Sequence, residues 1–385
     1  MSVVLVAGLG FVGIGCEFTG APLGGCDPAT TCVGAPTLVS GLPALTQLEA
    51  GAWRSCGIST EGDAWCWGDV ASGGAGSPAP ALVPGGLRFV RIAVGRFHNC
   101  ALTADSAAYC WAGRPDDVDG WTCGPTECGV QPVRVGTQQF RALTVESNHT
   151  CALDLSGAAF CWGFNYMGET GSDRYETFER DLVAVPGGLT FTAIESGKYF
   201  TCGLTTGGAV HCWGWGDGGQ LGRLEVPVCK SGPLVGLVEI CSFNPLPVTA
   251  PSPLHGLTAG MMHACAIGES SRAICWGDNG QGQLGRRGFG SGTPAAMASD
   301  STWSLLEAGG ATCGIATSGG TYCWGGNAWG LLGTGTRVDV SATPLPVAGG
   351  HSFVALAAGY QHICALTSTG SAYCWGDNGM RQLGQ

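Results

Sequence analysis

A pair of cysteines followed by tryptophan recurs seven times along the chain. In each copy the cysteines stand ten positions apart and the second precedes tryptophan, as in "HICALTSTGSAYCW" from His362 to Trp375. The pairs are Cys56 with Cys66, Cys100 with Cys110, Cys151 with Cys161, Cys202 with Cys212, Cys265 with Cys275, Cys313 with Cys323 and Cys364 with Cys374. A unit repeated at this period is the signature of a domain whose units bury their apolar faces against one another. The repeat therefore predicts one large domain.

The residues between the two cysteines of a pair predict a β-hairpin. Two apolar runs flank a three-residue loop, and the last position of that loop is glycine in five copies, namely Gly62, Gly157, Gly208, Gly319 and Gly370. Ser106 and Ser271 stand there in the other two copies. Such loops need a residue with a left-handed backbone conformation at this position, and glycine adopts that conformation without strain. This register places paired cysteines opposite each other, within disulfide range, so each pair predicts a disulfide inside one hairpin.

The remaining cysteines predict three further local disulfides, Cys26 with Cys32, Cys123 with Cys128 and Cys229 with Cys241. They leave Cys16 as the odd one among 21 cysteines. Structural zinc sites prefer cysteines two to four residues apart, so the ten-residue spacing of the hairpin pairs favours disulfides over zinc. Ten disulfides indicate an oxidising compartment.

Composition and spacing together predict the fold class. Successive repeat tryptophans are 44 to 63 residues apart, 68 residues are glycine and only 12% are charged. Short strands joined by tight turns fit these values, and helical segments do not. The sequence predicts an all-β, seven-bladed β-propeller whose blades are four-stranded antiparallel sheets.

The repeated phrase "G-x-x-H-x-C-A-L … G-x-x-Y-C-W-G-x-N-x-x-G-Q-L-G" resembles the repeat of the regulator of chromosome condensation family, in a disulfide-rich bacterial form. The resemblance covers residues 35–385 and implies a seven-bladed ring in which sequence repeats are offset from blades. Strands near residues 36–60 would then complete a blade begun by residues 371–385. The predicted domains are a leader at 1–15, a tether with a local disulfide at 16–34, and the propeller at 35–385.

The first sixteen residues, "MSVVLVAGLGFVGIGC", predict export. The apolar run has the length of a signal-peptide hydrophobic region, although Lys and Arg are absent before it. Gly15 before Cys16 resembles a bacterial lipoprotein cleavage site, which predicts a lipidated Cys16 and attachment to a membrane. The alternative is a buried or disordered apolar N-terminus. The predicted location is extracellular or in the cell envelope.

Several functions are disfavoured by the residues. A net charge of −11 opposes a phosphate backbone and argues against nucleic acid. "GQGQLG" is predicted to be a turn rather than a dinucleotide loop, because the residues after it do not form a helix. "GDNG" offers too few acidic ligands for calcium. No Ser/His/Asp combination and no pair of carboxylates recurs among the repeats. We therefore expect a non-enzymatic protein without catalytic residues, cofactor or metal.

Four histidines, each two residues before a repeat cysteine, could instead be metal or catalytic groups. They are His98, His149, His263 and His362. Because the thiols are committed to disulfides, these histidines are predicted to form hydrogen bonds between neighbouring blades. The repeat tryptophans are predicted to be packing residues. A light-sensing role, as in a plant photoreceptor that shares the fold, is disfavoured because only "GAWRSC" resembles its motif.

All length variation falls between the tryptophan of one repeat and the start of the next, where 13 to 32 residue steps occur. Such insertions emerge on one face of a propeller and usually mark its binding face. The predicted partner-binding residues in these loops, whose aromatic side chains are predicted to be exposed, are Asp117, Trp121, Tyr166, Arg174, Tyr175 and Trp329. We expect a monomeric scaffold for a protein or glycan; the alternatives are a guanine-nucleotide exchange factor for a small GTPase and a secreted enzyme inhibitor.

Overall fold

The computed structural model describes residues 32–68, 79–112, 129–147, 149–172, 178–229, 239–251, 253–336 and 338–385. These residues form antiparallel strands and one short 3-10 helix, Glu269–Ser271. Within the described ranges, no helix combines the length and apolarity that crossing a bilayer requires.

Four sheets contain four strands each. One consists of β2 (Leu45–Ala50), β3 (Arg54–Ser59), β4 (Ala64–Gly68) and β5 (Ala81–Leu82). Another consists of β18 (His255–Ala259), β19 (His263–Ile267), β20 (Ala273–Gly277) and β21 (Ser291–Ala296). A third consists of β22 (Trp303–Ala308), β23 (Ala311–Ala316), β24 (Thr321–Gly326) and β25 (Val340–Pro346). The fourth consists of β26 (Phe353–Ala358), β27 (His362–Thr367), β28 (Ala372–Asp377) and β1 (Cys32–Leu38).

Two larger sheets are built from the same unit. The first contains β6 (Phe89–Val94), β7 (His98–Thr103), β8 (Ala107–Ala112), β9 (Val133–Glu146), β10 (His149–Asp154), β11 (Ala159–Phe164) and β12 (Phe178–Ala184). Its long strand β9 pairs through its first half with β8 and through its second half with β10, so it joins two blades. The second contains β13 (Phe191–Gly197), β14 (Phe200–Thr205), β15 (Val210–Trp215), β17 (Glu239–Pro247) and, at the outer edge, the two-residue strand β16 (Val228–Cys229).

The first strands of successive units contact one another in a closed cycle that runs β2, β6, β9, β13, β18, β22, β26 and back to β2. Each unit therefore presents its first strand to the centre, and the following strands lead outward. The protein is an all-β propeller of four-stranded antiparallel blades. Its first strands surround a central channel.

The ring is closed by the two ends of the described chain. β1 pairs with β28, with Cys32 opposite Asp377 and Leu38 opposite Tyr373. This pairing confirms the predicted sharing of a blade, but the shared segment is shorter and starts earlier than expected. Residues from Leu45 onward belong to the next sheet, and β1 begins inside the predicted tether of residues 16–34.

The hairpins have the predicted register, because the two cysteines of every repeat pair are direct partners on adjacent strands. Their Cα atoms are 4.0–4.1 Å apart and their sulfurs are at disulfide distance. The pairs so placed are Cys56 with Cys66, Cys100 with Cys110, Cys151 with Cys161, Cys202 with Cys212, Cys265 with Cys275, Cys313 with Cys323 and Cys364 with Cys374. The predicted register, with the two cysteines of each hairpin opposite each other at disulfide distance, is confirmed.

The loops of these hairpins also follow the prediction. The left-handed position has positive φ in every copy, including Ser106 (66°) and Ser271 (59°). The two serines therefore adopt the same left-handed backbone conformation as the glycines in the other five hairpin loops.

The structure describes only some of the cysteines in the other three predicted disulfides. Cys32 and Cys241 are disulfide-bonded. The strand that ends at Cys229 pairs with β17, which contains Cys241. Cys16, Cys26, Cys123 and Cys128 lie outside the described residues.

The repeat tryptophans are buried, and four of them also join neighbouring blades. The indole Nε1 of Trp276 donates to Gln220 O of the preceding blade at 3.0 Å, and Trp375 donates to Leu331 O at 2.8 Å. Trp213 and Trp324 make the same contact with Glu169 and Gln283. Each acceptor lies in a turn after the third strand, so the indoles hold these turns against the next blade.

The histidines form the predicted bonds between blades. His98, His149 and His263 place Nε2 at 2.6–2.8 Å from the hydroxyls of Thr150, Thr201 and Thr312 in the following blade. Burial lowers the pKa of His98 and His149 to about 3 and that of His263 to about 4, so these rings are neutral at ordinary pH. Each of these bonds joins two neighbouring blades.

Candidate functional site: the loop face and the channel mouth

The turn between the first two strands of a blade and the loop after its third strand lie on the same face. Backbone hydrogen bonds join them directly, from Asp278 N to Met262 O at 2.8 Å and from Asp377 N to Gln361 O at 2.7 Å. We call this side of the propeller the loop face. The predicted length-variable loops therefore surround the turns at the mouth of the channel.

Only two of the predicted partner-binding residues can be located. Asp117, Trp121, Arg174 and Tyr175 lie outside the described residues. Tyr166 and Trp329 are half-buried, whereas the sequence predicted exposed side chains. Trp329 packs against a core cluster that includes Leu331 and Trp375. Its indole covers apolar core, which reduces the surface it presents to a partner.

An arginine stacked on aromatic rings occupies one part of the channel mouth. Arg96 Cζ lies 4.5 Å from the ring centroid of Trp53 and 4.8 Å from that of Phe97. The two rings meet edge to face, with centroids 6.4 Å apart. All three side chains are half-buried. Cation–π attraction and the crossed rings hold the guanidinium in one orientation.

A second aromatic group with a cation stands two blades further around the ring. Lys198 Nζ lies 5.2 Å from the centroid of the Tyr199 ring, and Tyr199 meets Trp215 edge to face at 6.2 Å. Trp215 N donates to Tyr199 O at 2.8 Å, which ties this group to the following loop. The mouth therefore carries two groups of the same chemistry.

Glu146 lies between these two groups. Its carboxylate interacts electrostatically with Arg96 and Lys198. Burial is the largest influence and raises the pKa of Glu146 to about 7, against the opposing effect of these partners. The charges at the mouth are thus two cations and one carboxylate that is partly protonated near neutral pH.

A ring of glycines brings the blades close together at the level of Glu146. A Cβ added at Gly359 would lie 2.3 Å from Gly51 O, and one at Gly309 would lie 2.4 Å from Gly359 O. Gly51, Gly95, Gly197 and Gly260 complete the set and meet the next blade at 2.4–2.7 Å. Glu146 takes the place of glycine in the remaining blade. Its side chain is therefore the one that this level of the ring presents to the channel.

Three more carboxylates face the channel. Glu49, Glu195 and Glu307 line a cavity of about 170 Å³ together with Arg91. Burial first, and then repulsion from Glu49, raises the pKa of Glu195 to about 8. The pKa of Glu49 rises to about 7, mainly through burial, and that of Glu307 is raised well above its usual range by burial and by Glu49 and Glu195. No cluster of His, Cys, Asp and Glu in the described part of the chain could hold a metal ion.

An exposed apolar patch lies beside a groove further out on the loop face. The groove has a volume of about 370 Å³ and is lined by Asp217, Arg223, Leu224 and Asp278, among others. Leu224 is 81% exposed, and Phe289, next to the lining residue Gly290, is 97% exposed. Two such side chains beside one groove make this part of the loop face a candidate interaction surface.

The sequence analysis missed the residues of the mouth, although the repeat contained a signal. Trp53, Phe97 and Tyr199 each stand three residues before the first cysteine of a repeat. A column of aromatic residues at one repeat position predicts a cluster once the repeats are arranged in a ring. Phe289 carried a weaker signal, since it stands between glycines in "RRGFGSG".

Family models match four segments of the chain. The regulator of chromosome condensation (RCC1) repeat is matched at residues 147–169, 191–220 and 353–382 by one model, and at 318–366 by a second. These segments of the chain carry regulator of chromosome condensation repeats. The matched segments hold hairpin cysteines, buried histidines and tryptophan turns described above.

Curated relatives match parts of the chain. The chain is 24% identical over 168 residues to the ultraviolet-B receptor UVR8 of Arabidopsis thaliana, which covers 42% of this chain and 35% of the receptor. It is also 24% identical over 174 residues to the human RCC1 domain-containing protein 1, which covers 38% of this chain and 46% of that protein. The chain spans less than half the length of the relatives it matches.

Solved structures with the repeat fold cover most of the chain. Human WBSCR16 superposes with a TM-score of 0.72 at 16% identity, over 89% of both chains. Prp20p of Saccharomyces cerevisiae superposes with a TM-score of 0.67 at 18% identity, over 86% of this chain and 82% of Prp20p. Its structure was described together with its binding to Gsp1p and histones. At these identities the likeness establishes the fold.

Proposed function

We propose that the chain is an exported, non-enzymatic scaffold that captures a partner protein through its loop face. The observation that carries the proposal is the pair of half-buried aromatic and cationic groups at the channel mouth, one around Arg96 and one around Lys198, on the face where the length-variable loops emerge. Aromatic residues and arginine are the residue types that dominate binding energy at protein interfaces. The exposed Leu224 and Phe289 extend this surface outward.

The proposal includes a seven-bladed ring in an oxidising compartment. The cycle of contacts among first strands supports the blade count. Seven hairpin pairs at disulfide distance support export, because thiols are kept reduced in the cytosol. Lipidation of Cys16 stays a prediction.

A protein partner is favoured over a glycan. The binding described for Prp20p is to proteins. It also favours a second candidate function, regulation of a small GTPase by nucleotide exchange. That function belongs to a reducing compartment, which oxidised hairpins would oppose.

The test is capture of partners by the purified, oxidised chain from the envelope and secreted fractions of its source. The loop-face variants are Leu224→Ser and Phe289→Ser, whose exposed side chains contribute little to stability. Leu155→Ser is the matched control, because Leu155 is 58% exposed in a hairpin loop on the opposite face. We expect the loop-face variants to lose a protein that wild type and the control retain. Equal capture by all four proteins would contradict the proposal.

The second candidate is tested with the same material. Release of labelled GDP from small GTPases of the source is measured with and without the chain. Acceleration that survives reduction of the disulfides would favour the exchange-factor function.

A further inference from the structure

We propose that the channel mouth recognises an acidic segment of the partner, with one carboxylate of that segment paired to the guanidinium of Arg96. This inference rests on the proposed function and adds the chemistry of the partner. It uses the stacked arginine, the second cation at Lys198 and the position of Glu146.

The stacked arginine is prepared for a planar anion. The rings of Trp53 and Phe97 lie 4.5 and 4.8 Å from Arg96 Cζ, so they limit the orientations of the guanidinium. A guanidinium stacked in this way presents its N–H edge, and that edge matches a carboxylate with two parallel hydrogen bonds. Less entropy is lost on binding because the side chain is already ordered.

A cationic ligand fits this mouth poorly. An incoming lysine or arginine would use the faces of aromatic rings, and Arg96 and Lys198 already lie over rings of this cluster. Their charges would also repel it. Among the carboxylates that would attract a cation, Glu49, Glu195 and Glu307 line the channel cavity, and Glu146, which also lines it, already interacts with Arg96 and Lys198.

A carboxylate fits better than a phosphate. The chain has a net charge of −11, so a dianion or polyanion approaching the propeller meets long-range repulsion. Arg96 and Lys198 carry two positive charges, and Glu146 already offsets part of them. The remaining positive charge matches a ligand group with a single negative charge. An acidic side chain carried by a peptide brings that charge together with neighbouring apolar side chains that can contact the aromatic rings.

Glu146 is an internal competitor for the same cations. It interacts electrostatically with both Arg96 and Lys198 from the blade between them. A partner carboxylate must share these cations with Glu146. Replacing Glu146 by glutamine removes the competing charge with little change of shape, so the replacement should strengthen binding of an acidic ligand.

The experiment is a selection of random 12-residue peptides displayed on phage against the immobilised, oxidised full chain. Enriched peptides are synthesised with a fluorophore, and their affinities are measured by anisotropy for wild type, Arg96→Ala, Arg96→Lys, Glu146→Gln and Phe289→Ser. Arg287→Ala is the matched control, because Arg287 is an exposed arginine away from the mouth. Circular dichroism melts confirm that each variant is folded.

We expect peptides that contain Asp or Glu. Arg96→Ala should weaken their binding about tenfold or more, since a hydrogen bond to a charged group contributes at least about 1.5 kcal/mol. Arg96→Lys should restore only part of the affinity, because lysine lacks the planar fork. Glu146→Gln should bind more tightly than wild type, and Arg287→Ala should bind like wild type.

Other outcomes separate this inference from the proposed function. Neutral or basic peptides that lose affinity with Phe289→Ser would overturn the acidic ligand and leave the loop face as the binding surface. Peptides unaffected by both Arg96→Ala and Phe289→Ser would count against both proposals. A selection that enriches no peptide above bare beads overturns the acidic-segment inference alone, because the capture experiment tests the loop face independently.

Discussion

His362 Nε2 lies 2.8 Å from Ser55 Oγ, although 307 positions separate the two residues in the sequence. His362 begins the second strand of the blade that β1 completes, and Ser55 stands in the second strand of the next blade. The same serine hydroxyl donates to Gln382 O at 3.1 Å. This buried bond therefore joins the last repeat to the first and continues the series of histidine–hydroxyl contacts around the ring.

Removing the hydroxyl at this junction should weaken ring closure. Ser55→Ala leaves buried polar atoms of His362 and Gln382 without their partner, which costs about 1–3 kcal/mol of unfolding free energy. Denaturant unfolding of the oxidised protein measures the loss. Ser352→Ala, at an exposed position, is the control and should stay within about 0.5 kcal/mol of wild type. An equal effect of the two variants would mean that the junction bond contributes nothing.

The buried histidines should make the protein sensitive to acid. Burial lowers the pKa of His98, His149 and His362 to about 3, whereas unfolded histidine titrates near 6.5. Their contribution to stability is therefore complete above pH 6.5 and is lost as pH falls from 6.5 toward 3. His149→Gln keeps a polar group near Thr201 but does not titrate, so its unfolding free energy should fall less between pH 6.5 and 4. Parallel pH profiles for variant and wild type would refute this assignment.

The channel carboxylates should act in the opposite direction. Their folded pKa values are raised, to about 8 for Glu195, so the stability they contribute is complete below about pH 4.5 and is lost as pH rises through 8. Glu195→Gln should therefore unfold at higher denaturant than wild type at pH 8, by about 1–2 kcal/mol after allowance for the accessible cavity. The two proteins should match near pH 5. Glu225→Gln, on the surface, is the control and should show no such pH dependence.

Much of the blade was predictable because its constraints are local. The ten-residue spacing and the glycine of the loop determine which residues face each other, so the cysteine pairs and the histidine bonds followed from one repeat. The mouth depends instead on residues that differ between copies. Trp53 and Arg96 belong to different blades and meet only because the ring curves, and Lys198 stacks on Tyr199 two blades further around the same mouth. The exposure of loop side chains was the least accurate prediction. Trp329 is of a residue type common at interfaces, but its indole covers the core.

The oxidation state of the hairpins decides the compartment, and it can be read directly. Peptide mapping of the native protein without reduction should recover Cys313 linked to Cys323 and the equivalent link in the other six hairpins. Replacing both cysteines of one pair by alanine should cost about 2–3 kcal/mol, because each disulfide closes a short loop. Free thiols at Cys313 and Cys323 in freshly isolated protein would remove the support for export.

The glycine ring should tolerate a methyl group least where blades touch through their backbones. At Gly359 an added Cβ would lie 2.3 Å from Gly51 O, and backbone cannot move aside as a side chain can. Gly359→Ala must therefore separate the first and last blades, and we expect a loss of unfolding free energy of about 3 kcal/mol or more. Gly207→Ala is the control, because a Cβ there meets no atom within 4 Å and the backbone is not left-handed. The control should be neutral or slightly stabilising, since alanine restricts the unfolded chain. If Gly359→Ala unfolds like the control, the blades are not in contact at the channel mouth, and the stacked group of Trp53 and Arg96 loses its rigid support.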